Sequence, residues 1–320
     1  MSSLLLLIAG FALLIKGADW LVDGGSALGK RFGISDLVIG LTVVAFGTSM
    51  PELFVNVIAG VKGSTDLAIG NVLGSNISNI LLILGTSAII FPLHVGTGTV
   101  WKEIPFSLLA VLVLAVMAND RLLDRTEQSV LSRSDGMVLL GFFAIFLYYS
   151  AAIAHQTPDS LINETPKRLL SSRQAGWYIL LGMGGLALGG YGCVTSAIQM
   201  ARKLHVSESL IGLTVVAIGT SLPELATSVT AACKKNCDIA VGNIVGSNIF
   251  NIFLILGIST TVRPLPMAAH SSTDIAVVIL ATMVLFTCMF TGKRKIIDRW
   301  EGGLMLASYV LYITYLIHQG

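Results

Sequence analysis

Charge is scarce in this chain of 320 residues: Lys, Arg, Asp and Glu make up 12% of it, against 54% apolar residues. A soluble protein carries about 25% charged residues, so a water-soluble globule is excluded. The net charge is only +2, and the basic residues sit in short loops, which is a topology signal and no nucleic-acid footprint. Cysteine is scarce too. Cys193, Cys233, Cys237 and Cys288 have no histidine beside them, which excludes a zinc site of four converging ligands, and they read as reduced, small apolar side chains. The five histidines fall in or near loops and suggest no metal cluster. Apolar and polar residues nowhere alternate over about ten positions, which excludes a transmembrane barrel. No GxxxxGK[ST] loop and no EF-hand loop occur, which argues against a primary pump and a calcium-sensing domain. No basic residue precedes the run in "MSSLLLLIAG", so that run reads as a retained first helix, not a cleaved signal.

Long apolar runs are abundant instead. They predict ten membrane helices at about 4–27, 37–61, 67–91, 102–118, 135–154, 175–198, 209–232, 239–261, 273–291 and 301–318. The polar stretch "HQTPDSLINETPKRLLSSRQ" reads as a linker. The chain also repeats itself. Residues 38–60 match 210–232 at 15 of 23 positions, and 66–85 match 238–257 at 14 of 20, both at an offset of 172. Three parts are therefore expected: a five-helix repeat over 1–155, a linker over 156–174, and a second five-helix repeat over 175–320. An odd number of crossings turns the second repeat upside down. The expected fold is an all-α membrane protein of two inverted five-helix repeats, an architecture that places a site at mid-membrane where the halves meet. Twelve Lys and Arg fall in the loops of one side and seven in those of the other. The positive-inside rule then puts both termini outside and the linker in the cytoplasm of a cell-membrane protein.

Within the repeat lie "GTSMPEL" and "GTSLPEL". Each puts a carboxylate, Glu52 or Glu224, near mid-membrane, where an ionised group costs several kcal/mol, about 2.5–3.5 on insertion scales. Lys and Arg lie almost entirely in loops, Lys16 excepted, so the expected partner is a cation from solution. Pro51 and Pro223 lack an N–H and crowd the carbonyl four residues back, which should free oxygens near Gly47 and Gly219. Ala45, Thr48 or Ser49, and Glu52 share a helix face, as do Ala217, Thr220 or Ser221, and Glu224. The next helix carries a polar stripe, Asn71, Ser75 and Asn79, repeated as Asn243, Ser247 and Asn251. Gly70 and Gly74, like Gly242 and Gly246, permit close helix contact. Two carboxylates with neutral oxygens and no soft ligand suit Ca²⁺, Na⁺ or Mg²⁺. Two negative charges balance one Ca²⁺, and the same oxygens can hold Na⁺. Exclusive occupancy of one site by either ion is the physical basis of an exchanger.

At "GTSMPE…GNVLGSN" and "GTSLPE…GNIVGSN" the chain resembles the calcium/cation antiporter superfamily, and most of all its prokaryotic sodium/calcium exchangers. The resemblance implies ten helices and Na⁺/Ca²⁺ exchange by alternating access, with no cofactor beyond the transported ions. It implies that Glu52, Glu224, Asn79 and Asn251 form the central site, with the Thr48 and Thr220 carbonyls joining Ca²⁺. Ala45, Ser49, Ser75, Ala217, Ser221 and Ser247 would line Na⁺ positions. Some relatives carry aspartate where this chain has Asn251, and the amide argues against potassium dependence. The proton-coupled branch resembles "GNxxE", an acid absent here. A proton/calcium antiporter is the nearest alternative and a cation channel a more distant one. An enzyme fits the Asn and Ser stripes poorly. The expected partners are Ca²⁺, Na⁺ and the lipid bilayer. Asp66 and Asp238 are expected as helix N-caps. Lys16, Asp19 and Asp23 read either as an ion pair steadying the first helix or, preferably, as snorkelling residues near its end.

Overall fold

In a computed structural model the described residues are 2–123, 125–154, 170–203, 217–268 and 271–319. The chain is built of helices with two minimal antiparallel ribbons. The helices are α1 (Ser2–Phe32), α2 (Asp36–Thr48), α3 (Met50–Lys62), α4 (Thr65–Ile90), α5 (Thr97–Met117), α6 (Arg133–Ile153), α7 (Ser172–Lys203), α8 (Ala217–Thr220), α9 (Leu222–Cys233), α10 (Cys237–Val262), α11 (Ser271–Cys288) and α12 (Arg299–Gln319). Among the described residues seven helices are long and apolar enough to cross a membrane, or eight if the bent pair α2 and α3 counts as one span. The start of the expected seventh helix and most of the expected linker lie outside the described residues.

Burial sorts the helices. In α10 the apolar window is 94% buried, and in α4 72%, against 22% in α6. The first two are therefore sheathed by the rest, as expected of helices that carry polar stripes through lipid. Both contain π-helical turns, at Ser78–Leu84 and Phe250–Leu256. The insertion re-aims the residues that follow it, and such turns gather at functional sites.

α1 and α7 run past their expected ends, to Phe32 and Lys203. Lys30 and Arg31 lie in the last turn of α1, where cations meet the negative end of the helix dipole. The two helices pack antiparallel along glycines. A Cβ on Gly182 would meet Leu21 N at 2.7 Å and Gly17 O at 2.9 Å, and one on Gly189 would meet Leu14 N at 2.7 Å. Cys193 Sγ rests against Gly10 in the same seam, so this cysteine is a packing residue. Small residues let the backbones meet where apolar burial gives helices no reason to associate. Gly242 and Gly246 do the same for α10 against α2, each with backbone of that helix within 3 Å of a Cβ position. At Gly70 and Gly74, also expected to permit close contact, a Cβ would meet nothing within 4 Å among the described residues.

Loop contacts join the two halves at each end. β1 (Leu93–His94) pairs with β4 (Ile296–Ile297), and β2 (Val130–Leu131) pairs with β3 (Leu265–Pro266). Asp66 and Asp238, expected as caps, sit in the first turns of their helices; Ser64 and Asn236 hold the cap positions, and Asn236 Oδ1 accepts from Ile239 N at 3.1 Å. Asn236 Nδ2 also donates to Asp36 Oδ2 at 2.6 Å. The acids near the end of α1 are paired across the halves as well as partly exposed. Lys234 Nζ lies 2.6 Å from Asp19 Oδ1 and 2.7 Å from Asp23 Oδ1, and Lys16 Nζ lies 2.9 Å from Asp19 Oδ2. The ion-pair reading of these residues therefore holds, with Lys234 as a further partner.

The glycine seam makes a direct prediction. Gly182→Val overfills a contact between two backbones, a change that costs about 1–3 kcal/mol, and should lower the melting temperature of the detergent-solubilised protein. Gly141→Ala, at an exposed position on α6, should not.

Candidate functional site

The two repeat copies fold into broken helices. α2 ends at Thr48 and α3 begins at Met50, bent by 47° at Ser49. Ser49 and Ser221 share one backbone conformation, φ −84° and ψ 5°. Pro51 and Pro223 occupy the first turn of the new helices, where a missing N–H is no loss. The break thus precedes the proline, and the carbonyls left without a following N–H are those ending the first half-helix. Glu52 and Glu224 lie in the first turns of α3 and α9. There the positive end of the helix dipole favours a carboxylate by about 0.3–1 kcal/mol at exposed sites and more when buried.

Both glutamates are fully buried. Among the described residues no Lys or Arg is paired with either; the ion pairs described above lie in and beside α1. Around the acids the halves interlock. Ser49 Oγ lies 3.0 Å from Glu224 Oε1 and 3.0 Å from Ser247 Oγ. Thr48 Oγ1 donates to Asn243 Oδ1 at 3.0 Å, and Thr220 Oγ1 donates to Asn71 Oδ1 at 3.3 Å. Ser221 Oγ meets Ser75 Oγ at 3.4 Å, and Asn251 Nδ2 donates to Ser75 Oγ at 3.1 Å. Asn79 Nδ2 donates to Asn248 Oδ1 at 3.0 Å. Ala45 is buried, and its carbonyl accepts from Thr48 Oγ1 at 3.2 Å. Ala217 opens α8, but its side chain lies outside the described residues. The other predicted side chains converge on one buried region.

Five oxygens in this region have no hydrogen-bond partner among the described residues: Glu52 Oε1 and Oε2, Glu224 Oε2, Asn79 Oδ1 and Asn251 Oδ1. Buried acceptors without donors are costly, by about 1–3 kcal/mol each and more for charged groups. Five of them in one place, two or more carrying negative charge, make a donor set for a hard cation. Sequence reasoning missed four residues here. Asn76 and Asn248 bridge the halves; Asn56 Nδ2 caps the Glu52 carbonyl at 2.9 Å; and Ser228 Oγ accepts from Asn243 Nδ2 at 2.9 Å. The first two stand off the four-residue stripe, and the repeat of "GSN" in both copies was the signal that could have found them.

Comparison with known proteins gives one consistent answer. The sequence pattern of the family described as "Sodium/calcium exchanger protein" matches residues 2–152 and 175–318. The chain is 38% identical to "Inner membrane protein YrbG" of Escherichia coli over 97% of this chain and 95% of that one. It is 32% identical to "Sodium/calcium exchanger MaX1" of Methanosarcina acetivorans over 98% of each chain. A solved structure of the sodium-calcium exchanger NCX_Mj, soaked with 10 mM Na⁺ and zero Ca²⁺, superposes with a TM-score of 0.83 at 34% identity, covering 98% of each chain.

One difference between the two broken helices yields a prediction. Ser49 touches a buried carboxylate, whereas among the described residues Ser221 Oγ meets a serine. Ser49→Ala should cost about 1.5–3 kcal/mol of stability, the worth of a hydrogen bond to a charged group, and Ser221→Ala about 0.5–1.5 kcal/mol. Chemical denaturation of the two variants side by side would read the difference.

Proposed function

Because the chain belongs to the sodium/calcium exchanger family, we propose that it exchanges Na⁺ for Ca²⁺ through one shared site between Glu52 and Glu224. The family is one of transporters, so the chain is a multi-pass membrane transporter and not an enzyme, and the ions are cargo with no separate cofactor. One observation carries the reading: two fully buried carboxylates, one from each half, meet among neutral oxygens without a basic partner. One Ca²⁺ neutralises both. The Thr48 and Thr220 carbonyls join its coordination, and Na⁺ entering the neighbouring positions lined by Ala45, Ser49, Ser75, Ala217, Ser221 and Ser247 competes for the same charge. Ion coupling follows from that competition, since a site able to hold either cargo but not both links their movements.

The finer architecture is part of the proposal. Residues 1–155 and 175–320 form two inverted five-helix repeats, ten helices in all, joined by the 156–174 linker. Support comes from α1 running antiparallel to α7, its counterpart at the 172-residue offset, and from ribbons that pair loops of opposite halves at each end. Inversion makes the two access states near-equivalent by symmetry. The α1–α7 pair moves against a core of the remaining helices, opening the site to one side at a time. The loop charges put both termini outside and the linker in the cytoplasm, and the inward Na⁺ gradient then drives Ca²⁺ out.

Proteoliposomes loaded with Na⁺ and diluted into Na⁺-free medium should take up radioactive Ca²⁺, and a proton gradient alone should not. Uptake driven by protons alone would replace Na⁺ with H⁺ as the counter-ion. Glu52→Gln and Glu224→Gln should each lower Na⁺-dependent uptake at least about tenfold, the factor given by 1.4 kcal/mol of lost binding, while the protein still inserts and purifies. Full transport in either variant would end the assignment of the site.

A further inference from the structure

An asparagine can present either face to an ion. Its Oδ1 attracts a cation and its Nδ2 repels one, so Asn79 and Asn251 serve a cation site only if something fixes their amides. Both lie at full burial, and each has its Nδ2 engaged by the opposite half. Asn251 Nδ2 donates to Asn76 Oδ1 at 2.9 Å and to Ser75 Oγ at 3.1 Å, which uses both of its N–H groups. Asn79 Nδ2 donates to Asn248 Oδ1 at 3.0 Å. In both residues the remaining Oδ1 has no hydrogen-bond partner among the described residues. The arrangement is crossed and repeated: Asn76 and Asn248 are 172 residues apart, as are Asn79 and Asn251.

We propose that Asn76 and Asn248 are positioning residues that hold the Asn251 and Asn79 amides with their carbonyl oxygens toward the cation. The inference rests on the reading of this region as the cation site. For Asn76 the sense of the bond is fixed from outside the site. Its own Nδ2 donates to the backbone carbonyl of Asn248 at 3.4 Å, and a carbonyl can only accept. Asn76 Oδ1 is thereby turned toward Asn251 as an acceptor, which leaves Asn251 only its donor face to offer in return. The serine in the same contact cannot impose this, because a hydroxyl donates as readily as it accepts. Partners of this kind, behind the groups that touch the ion, set the orientation of metal ligands, and losing one typically costs about 10–100-fold in metal affinity.

The test is a double-mutant cycle on Ca²⁺ half-saturation in proteoliposomes. Asn76→Leu keeps the shape and removes the acceptor. In the Asn251 background it should raise the half-saturating Ca²⁺ concentration by about 10–100-fold with a smaller change in maximal rate. In an Asn251→Asp background the same substitution should raise it by less than a third of that factor, because a carboxylate has no donor face to misdirect. Equal factors in both backgrounds, or no change in the first, would overturn the proposal and leave Asn76 a packing residue. If Asn76→Leu does not fold in the Asn251 background, folding in the Asn251→Asp background supports the proposal and failure in both counts against it. Glu52→Gln separates this idea from the one beneath it. If that variant transports normally, the cation-site reading falls whatever Asn76 does; if it is dead while Asn76→Leu has wild-type kinetics, only the positioning role falls.

Discussion

Two carboxylates removed from water without a basic partner set the terms for the rest of this molecule. A lone buried acid is normally neutralised by a lysine or arginine, or replaced over time by something apolar. Here one such acid stands in each half, Glu52 and Glu224, and among the described residues both are served by neutral groups and helix ends. Everything close to them follows from tolerating that charge. The helices that bear them are broken so that their N-termini point at the acids. The helices beside them, α4 and α10, carry the hydroxyls and amides and are therefore the most deeply sheathed.

The same constraint explains how the halves are joined. No half completes the site alone: Ser49 reaches Glu224, Thr48 reaches Asn243, Thr220 reaches Asn71, and the asparagines cross in pairs. Folding and assembly of the ion site are coupled, because many of the polar atoms of each repeat find their partners in the other. A duplicated sequence is well suited to this, since one set of polar residues can meet its own copy after inversion.

Much of this was legible in the residues. Glu52 and Glu224 announce themselves because a charged group in a long apolar run is improbable without a role, and the 172-residue offset pairs them. The polar stripes are visible because a spacing of four keeps Asn71, Ser75 and Asn79 on one face. Asn76 and Asn248 were marked only by the repeated "GSN"; which atom of a neighbour they hold was not legible, since spacing carries no information about amide orientation. Proline pointed to freed carbonyls near Gly47 and Gly219, and the first half-helices end there, at Thr48 and Thr220; that proline also serves as a helix starter, with the bend at Ser49, was not read from the sequence. The lengths of α1 and α7 exceed the apolar runs because polar turns stay helical once the chain leaves the hydrocarbon. Lys234 was placed correctly in a loop, yet nothing local indicates that it reaches Asp19 and Asp23 in the other half.

That last contact has a consequence for a machine built from mirrored parts. Perfect two-fold symmetry would make the two end states equal in energy, so that neither opening would be favoured at rest. The residues standing where Asp19 and Asp23 would recur are Tyr191 and Thr195, which carry no charge. Among the described residues a clasp of one lysine between two aspartates is therefore not repeated at the 172-residue offset. The degeneracy is lifted there, and the two openings differ in how readily they part and in how strongly salt loosens them.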